Sequence, residues 1–142
     1  MFQLVYASSA TRPMTPSALE ALLGTARSKN ERLGVTGMLL YRDARFVQVL
    51  EGPQHTVRTL YDTIRADDRH TAVIPLRERL VDQREFPGWA MGFSDLDRAR
   101  PETLPDGCGP FLNDKFAPEH FRKAPDRLHQ TLLQFRSAAV QR

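Results

Sequence analysis

Three polar side chains stand where the surrounding pattern calls for apolar ones: Tyr6, Asn30 and Gln48. Tyr6 lies in FQLVYAS, whose alternation predicts a strand with Phe2, Leu4 and Tyr6 on one face. Gln48 lies in RFVQVLE, with Phe46 and Leu50 beside it and Val47 and Val49 on the opposite face. Both faces of that strand are apolar except for one amide, which must find partners for two donors and an acceptor. Asn30 falls four residues after Ala26, at the polar end of the helical stripe Leu19, Leu22, Leu23 and Ala26. Each residue also has an ordinary reading: a core tyrosine with a satisfied hydroxyl, a helix C-cap, a buried amide in a closed network. Read together as a site, Asn30 and Gln48 supply paired amide donors and acceptors that suit the N–H/C=O edge of a heterocycle. Tyr6 supplies a redox-active phenol. Lys29, Arg32 and Arg69 carry charge that suits a phosphate, or simply a solvated surface. The residues alone lead to a planar heterocycle beside a tyrosine, in an apolar pocket with few polar groups.

Other chemistries lack their residues. The sequence holds no glycine-rich dinucleotide fingerprint, phosphate loop, HExxH pair or nucleophile elbow. The four histidines, His55, His70, His120 and His129, stand singly, and the one cysteine, Cys108, excludes an internal disulfide. With 142 residues, 41% hydrophobic and 26% charged, the chain is long enough for one unstapled core. No apolar run reaches the roughly 18 residues of a membrane span, and no signal peptide is visible, so a cytoplasmic location is expected. The net charge of +3 comes mostly from arginines scattered near acids, which is not the clustered footprint of a nucleic-acid binder.

The elements that must position these residues read in the order βαββαββ. After the first strand, Thr15-Pro16 provides an N-cap followed by proline at the first helical position. Val35–Tyr41 and Arg45–Glu51 form a hairpin across Arg42-Asp43-Ala44. Gly52-Pro53 opens a second helix with the stripe Val57, Leu60, Tyr61 and Ile64. A strand at Ala72–Leu80 carries Pro75, a mark of an edge or a bulge. The last strand is expected at Trp89–Phe93, with Trp89, Met91 and Phe93 alternating. The first six elements suit an α+β, ferredoxin-like sheet with two helices on one face. Its first and third strands pair at the centre, which puts Tyr6 and Gln48 on neighbouring strands, with Asn30 at the end of the first helix above them. Residues 1–96 form this domain. Residues 97–142 form a proline-rich linker and C-terminal helices, with Leu128, Leu132 and Phe135 on a face that either docks on the bare side of the sheet or meets another copy.

The same residues carry a family resemblance. LVYAS with Tyr6, KNERLGVTGMLLY with Asn30, FVQVLEGP with Gln48, DDRH with Arg69 and His70, and FPGWAMGF with Trp89 and Met91 resemble the BLUF domain, the blue-light sensor using FAD. These segments run from residue 2 to about 95 in the family's order, and the length is similar to that of its short stand-alone members. The resemblance implies that Tyr6 donates an electron and a proton to photoexcited flavin. It implies that Gln48 sits between that phenol and the flavin, and that Asn30 bonds the pyrimidine side of the ring. Arg69 matches an arginine near a flavin carbonyl; Lys29, Arg32 and His70 match contacts to the flavin side chain or their neighbours. Trp89 and Met91 match a pair that changes packing or position during signalling. Homo-oligomers and a light-regulated protein partner are implied, with no enzymatic activity of the chain's own. Glu31 and Val35 depart mildly from the family pattern.

Three other readings compete. A ferredoxin-like regulatory module that has lost its flavin predicts a colourless protein. An RNA-binding sheet needs a basic, aromatic strand, which FVQVLEG is not. An acylphosphatase-like hydrolase rests on fold analogy alone, without a glycine-rich anion loop before the first helix.

Overall fold

The computed structural model describes residues 1–86, 91–96, 129–130 and 132–133. The described elements are β1 (Phe2–Ala10), α1 (Pro16–Leu33), β2 (Thr36–Arg42), β3 (Arg45–Gly52), α2 (Gln54–Ala66), β4 (His70–Leu80) and β5 (Gly92–Asp95). They build one sheet in the order β4-β1-β3-β2-β5, antiparallel except for the parallel β2–β5 pair. This is the expected α+β, ferredoxin-like arrangement. β1 and β3 lie at its centre because each is apolar on both faces and tolerates no exposure.

Local chemistry sets the ends of the elements. The Thr15 side chain accepts from the Ala18 N–H at 3.1 Å, and Pro16 occupies the first helical position, where its missing donor costs nothing. α1 then runs past Asn30 to Leu33 and stops at Gly34, whose φ of 70° is the left-handed conformation glycine adopts without strain. Asn30 is therefore a helical residue within the last turn. The β2–β3 hairpin closes through Asp43 and Ala44 alone, at φ 48° and 60°, the primed turn that matches strand twist. Gly37 in β2 is obligatory: a Cβ there would stand 1.9 Å from the Val49 carbonyl oxygen.

Pro75 sits on β4, the edge strand, where its missing N–H breaks no inner ladder. The β1–β4 register shifts on both sides of the Tyr6–Pro75 pair, and Ala72 in β4 has φ 51°. The last strand differs from expectation. Its pairing begins at Gly92, opposite Met38, so Met91 precedes the strand. Trp89 lies outside the described residues, as do Cys108, Leu128 and Phe135.

Apolar packing lies on both sides of the sheet. Leu4, Leu50 and Phe46 face Leu19 and Leu23 of α1 and Val57 and Leu60 of α2. Val5, Met38, Val47 and Val49 face away from the helices, under Phe86, Leu96 and Leu132. Leu132 is 1% exposed and packs, with Leu133, against the second face of the sheet. A buried polar network crosses the same side. The fully buried Glu51 carboxylate accepts from Gln3 Nε2 at 2.8 Å, from the Glu85 N–H at 3.0 Å and from the Phe86 N–H at 2.7 Å. Glu85 in turn pairs with Arg79 and lies 2.9 Å from His129 Nε2.

Candidate functional site

The central pairing decides the site. Tyr6 of β1 lies directly opposite Gln48 of β3, and Leu39 of β2 flanks Gln48 on its other side. Both Tyr6 and Gln48 point toward the helices. The Tyr6 hydroxyl donates to Gln48 Oε1, and Gln48 Nε2 donates to Met91 Sδ at 3.3 Å. One amide is thus polarised end to end, with a phenol at its acceptor and a thioether at its donor. All three residues are buried. Burial pushes the Tyr6 phenol far above its ordinary pKa, and Tyr61 and Asp67 add to the shift. Tyr61 packs against Tyr6 with ring centroids 5.4 Å apart. Tyr6 is therefore protonated, and its hydroxyl proton is directed at Gln48 Oε1.

A cleft opens over this pair between α1 and α2. Helical spacing explains which α1 residues reach it. Leu22, Ala26 and Asn30 form one row, with Thr25 and Lys29 forming the next. Leu60 and Ile64 of α2 form the opposite wall. The walls are apolar, and the amides of Asn30 and Gln48 enter from two sides.

Arg69 and His70 lie at the mouth, just beyond α2. The Arg69 guanidinium holds Asp67 through Nη2 at 2.6 Å and Nε at 3.1 Å, which keeps the Asp67 carboxyl down at about 2. The sequence reading missed Asp67, whose only signal was an acid two residues before Arg69. His70 packs edge-on against Phe46 with centroids 5.3 Å apart, and its Nδ1 lies 3.2 Å from Ser8 Oγ. Burial holds the His70 pKa below its ordinary value despite the opposing pull of Asp67. The unfolded chain therefore takes up a proton on His70 before the folded one does. His70's contribution to stability is complete above about pH 6.5 and declines as pH falls toward the folded pKa. An NMR titration should place the His70 midpoint below that of a free imidazole, and His70→Gln should remove this part of the acid-side decline.

Of the residues expected at the site, Tyr6, Lys29, Asn30, Gln48, Arg69 and His70 line the cleft, and Met91 touches Gln48. Arg32 does not line it. Two positions past Asn30 it has turned about 200° around α1, and it is exposed to solvent.

A sequence model of the family described as sensors of blue-light using FAD matches residues 1–92. The chain belongs to the BLUF family. It is 43% identical to photoactivated adenylate cyclase subunit beta of Euglena longa over 89 residues, which are 62% of this chain and 10% of that protein. The Euglena gracilis subunit beta is 42% identical over the same length and shares. The chain therefore spans about a tenth of the length of these curated relatives. The dark-state structure of BlrB, a BLUF protein, superposes with a TM-score of 0.73 at 28% identity, covering 96% of this chain and 94% of that one. The ground state of BlsA gives a TM-score of 0.76 at 27% identity, covering 93% and 87%. Klebsiella pneumoniae BlrP1, determined with FMN and cyclic diGMP, gives 0.65 at 36% identity, covering 71% of this chain and 27% of that one.

As a BLUF domain the chain is a flavin-using blue-light sensor, and its cleft has the chemistry for such a ligand. The walls are apolar enough for a flat ring system, and two amides match a ring edge that both donates and accepts. A buried phenol stands behind one of them. No helix among the described residues is long and apolar enough to cross a membrane.

Proposed function

We propose that this chain senses blue light through FAD held in the α1–α2 cleft, and that Tyr6 and Gln48 carry the photochemistry. The observation that supports this most is the Tyr6–Gln48–Met91 hydrogen-bond chain, whose first two members line the cleft. Bound flavin supplies the blue absorption and an excited state that accepts an electron. Asn30 and Gln48 would hold the ring by their amides, and Lys29, Arg69 and His70, which also line the cleft, would hold its phosphate-bearing side chain. Their cationic and hydrogen-bonding groups suit the longer FAD tail.

Tyr6 starts the response. With bound, excited flavin as the electron acceptor, the Tyr6 phenol would give up an electron and, now a strong acid, its proton along the existing bond toward Gln48 Oε1. Both would return to Tyr6, which ends as it began. Gln48 does not. Rotation or tautomerisation of the amide exchanges its donor and acceptor ends without moving β3, and the Nε2 bond to Met91 Sδ is lost. With its ends exchanged, Gln48 would present a donor to a bound ring, which would shift absorption to the red. The change passes through the repacked Met91 side chain toward the C-terminal segment, residues 97–142. There it reaches a separate protein, which receives the signal from a homo-oligomer of this chain.

The test is the absorption spectrum of purified protein in darkness and after blue illumination. A flavin spectrum with a small, reversible red shift is expected, the extracted chromophore should have the mass of FAD, and Gln48→Ala should lose the shift. A colourless protein that cannot be reconstituted with FAD, or a wild-type shift in Gln48→Ala, overturns the reading.

A further inference from the structure

The amide of Gln48 has a thioether as its acceptor, and something other than that contact must place the thioether. Sulfur is a weak acceptor, and methionine has three rotatable bonds. The backbone of Met91 is placed from α1. Arg27 reaches across the fold and donates from Nε to the Met91 carbonyl at 2.9 Å. This carbonyl lies one residue ahead of the point where β5 begins to pair with β2. Arg27 does not line the cleft. Its Nη2 is buried with no hydrogen-bond partner among the described residues. Burial lowers its pKa, which for a guanidinium still leaves the charge in place. A cation set in this position spends its directional bonding on one backbone oxygen.

We infer that Arg27 is a positioning residue for the photocycle: it pins Met91 so that its sulfur meets the Gln48 amide in the dark. This rests on the proposed role of Gln48. A charge-assisted bond is roughly twice as strong as a neutral one, and both far exceed an N–H···S contact. When the Gln48 amide turns away, the weak bond breaks and the strong one stays. Met91 keeps its backbone position, and β5 is held for the return. Without Arg27, Met91 samples other positions in both states, and the dark arrangement has to be found again after each excitation.

The test compares wild type with Arg27→Met, Arg27→Lys and Arg27→Gln in the full chain. Arg27→Met should broaden the dark flavin band and slow dark recovery severalfold. Amide exchange across Gly92–Asp95 should speed up about tenfold, the factor produced by losing one charge-assisted hydrogen bond. Arg27→Lys, which can still donate to the carbonyl, should recover much of each effect, which a loss of bulk packing would not predict. In a Met91→Leu background, Arg27→Met should no longer alter the spectrum, because no sulfur remains to be placed. If Arg27→Met does not fold, Arg27→Gln, too short to reach Met91, is read in its place. Unchanged recovery and unchanged β5 exchange in these variants overturn the inference, as does a spectral effect that persists undiminished in Met91→Leu. If the wild-type chain shows no light response, the proposed function fails separately. The β5 exchange rates then still decide whether Arg27 pins Met91.

Discussion

Tyr6→Phe should keep the fold and the flavin yet eliminate the light-induced red shift. The substitution removes one oxygen atom and leaves the ring in place against Tyr61 and the apolar face that includes Leu4, Phe46 and Leu50. What it takes away is the donor to Gln48 Oε1. A buried amide oxygen left without its donor costs about 1–3 kcal/mol, which a domain of this size survives. The photochemistry loses more. Phenylalanine has no proton to give and is much harder to oxidise, so excitation decays without rearranging Gln48. Dark and illuminated spectra at matched light dose, with urea unfolding of the same samples, check both halves. A wild-type shift in Tyr6→Phe would move the electron donor elsewhere. A stability loss far above this range would make Tyr6 chiefly a structural residue.

Glu51→Ala should be the most destabilising single change on the opposite side of the sheet. Three donors converge on the Glu51 carboxylate: the Gln3 amide and the backbone N–H groups of Glu85 and Phe86. Alanine leaves all three without this acceptor, in a place that is fully buried. The expected cost is about 3–5 kcal/mol, a large share of the 5–15 kcal/mol that holds a typical domain together. Glu51→Gln keeps one oxygen and turns an N–H₂ toward donors, so its cost should be smaller, about 1–2 kcal/mol. Chemical denaturation followed by circular dichroism measures both. A loss below about 1 kcal/mol in Glu51→Ala would mean that other groups satisfy those donors. The same change should loosen the link through Gln3 and Glu85 to Arg79 and His129, and with it the cover over this face.

Much of the site was legible in the chain because strands repeat every two residues. FQLVYAS and RFVQVLE, once paired at the centre of a ferredoxin-like sheet, place Tyr6 and Gln48 on neighbouring strands. The structure pairs them directly, in register. The stripe of α1 likewise brought Asn30 to the cleft by its spacing from Leu22 and Ala26. Asn30 also had a local reading as a helix cap, and a better cap four residues on took that place. Gly34 adopts the left-handed conformation more cheaply, so the helix runs on and Asn30 faces the site.

Periodicity reports which face a residue is on and says little about what its tip touches. The local pattern thus determined the order of the elements, the hairpin, Pro75 as a mark of an edge or bulge, and the polar trio. It left open what depends on long, flexible side chains meeting across the fold. Arg27 reaches Met91 over 64 positions of sequence, Glu51 gathers donors from 34 and 35 residues away, and His129 meets Glu85 across 44. Arg32 looked like Lys29 by charge and nearness, and only its angle around α1 set it apart. Tertiary structure decided these because a charged or polar tip can choose among several partners. The choice is made by whichever buried carbonyl or carboxylate the fold brings within reach.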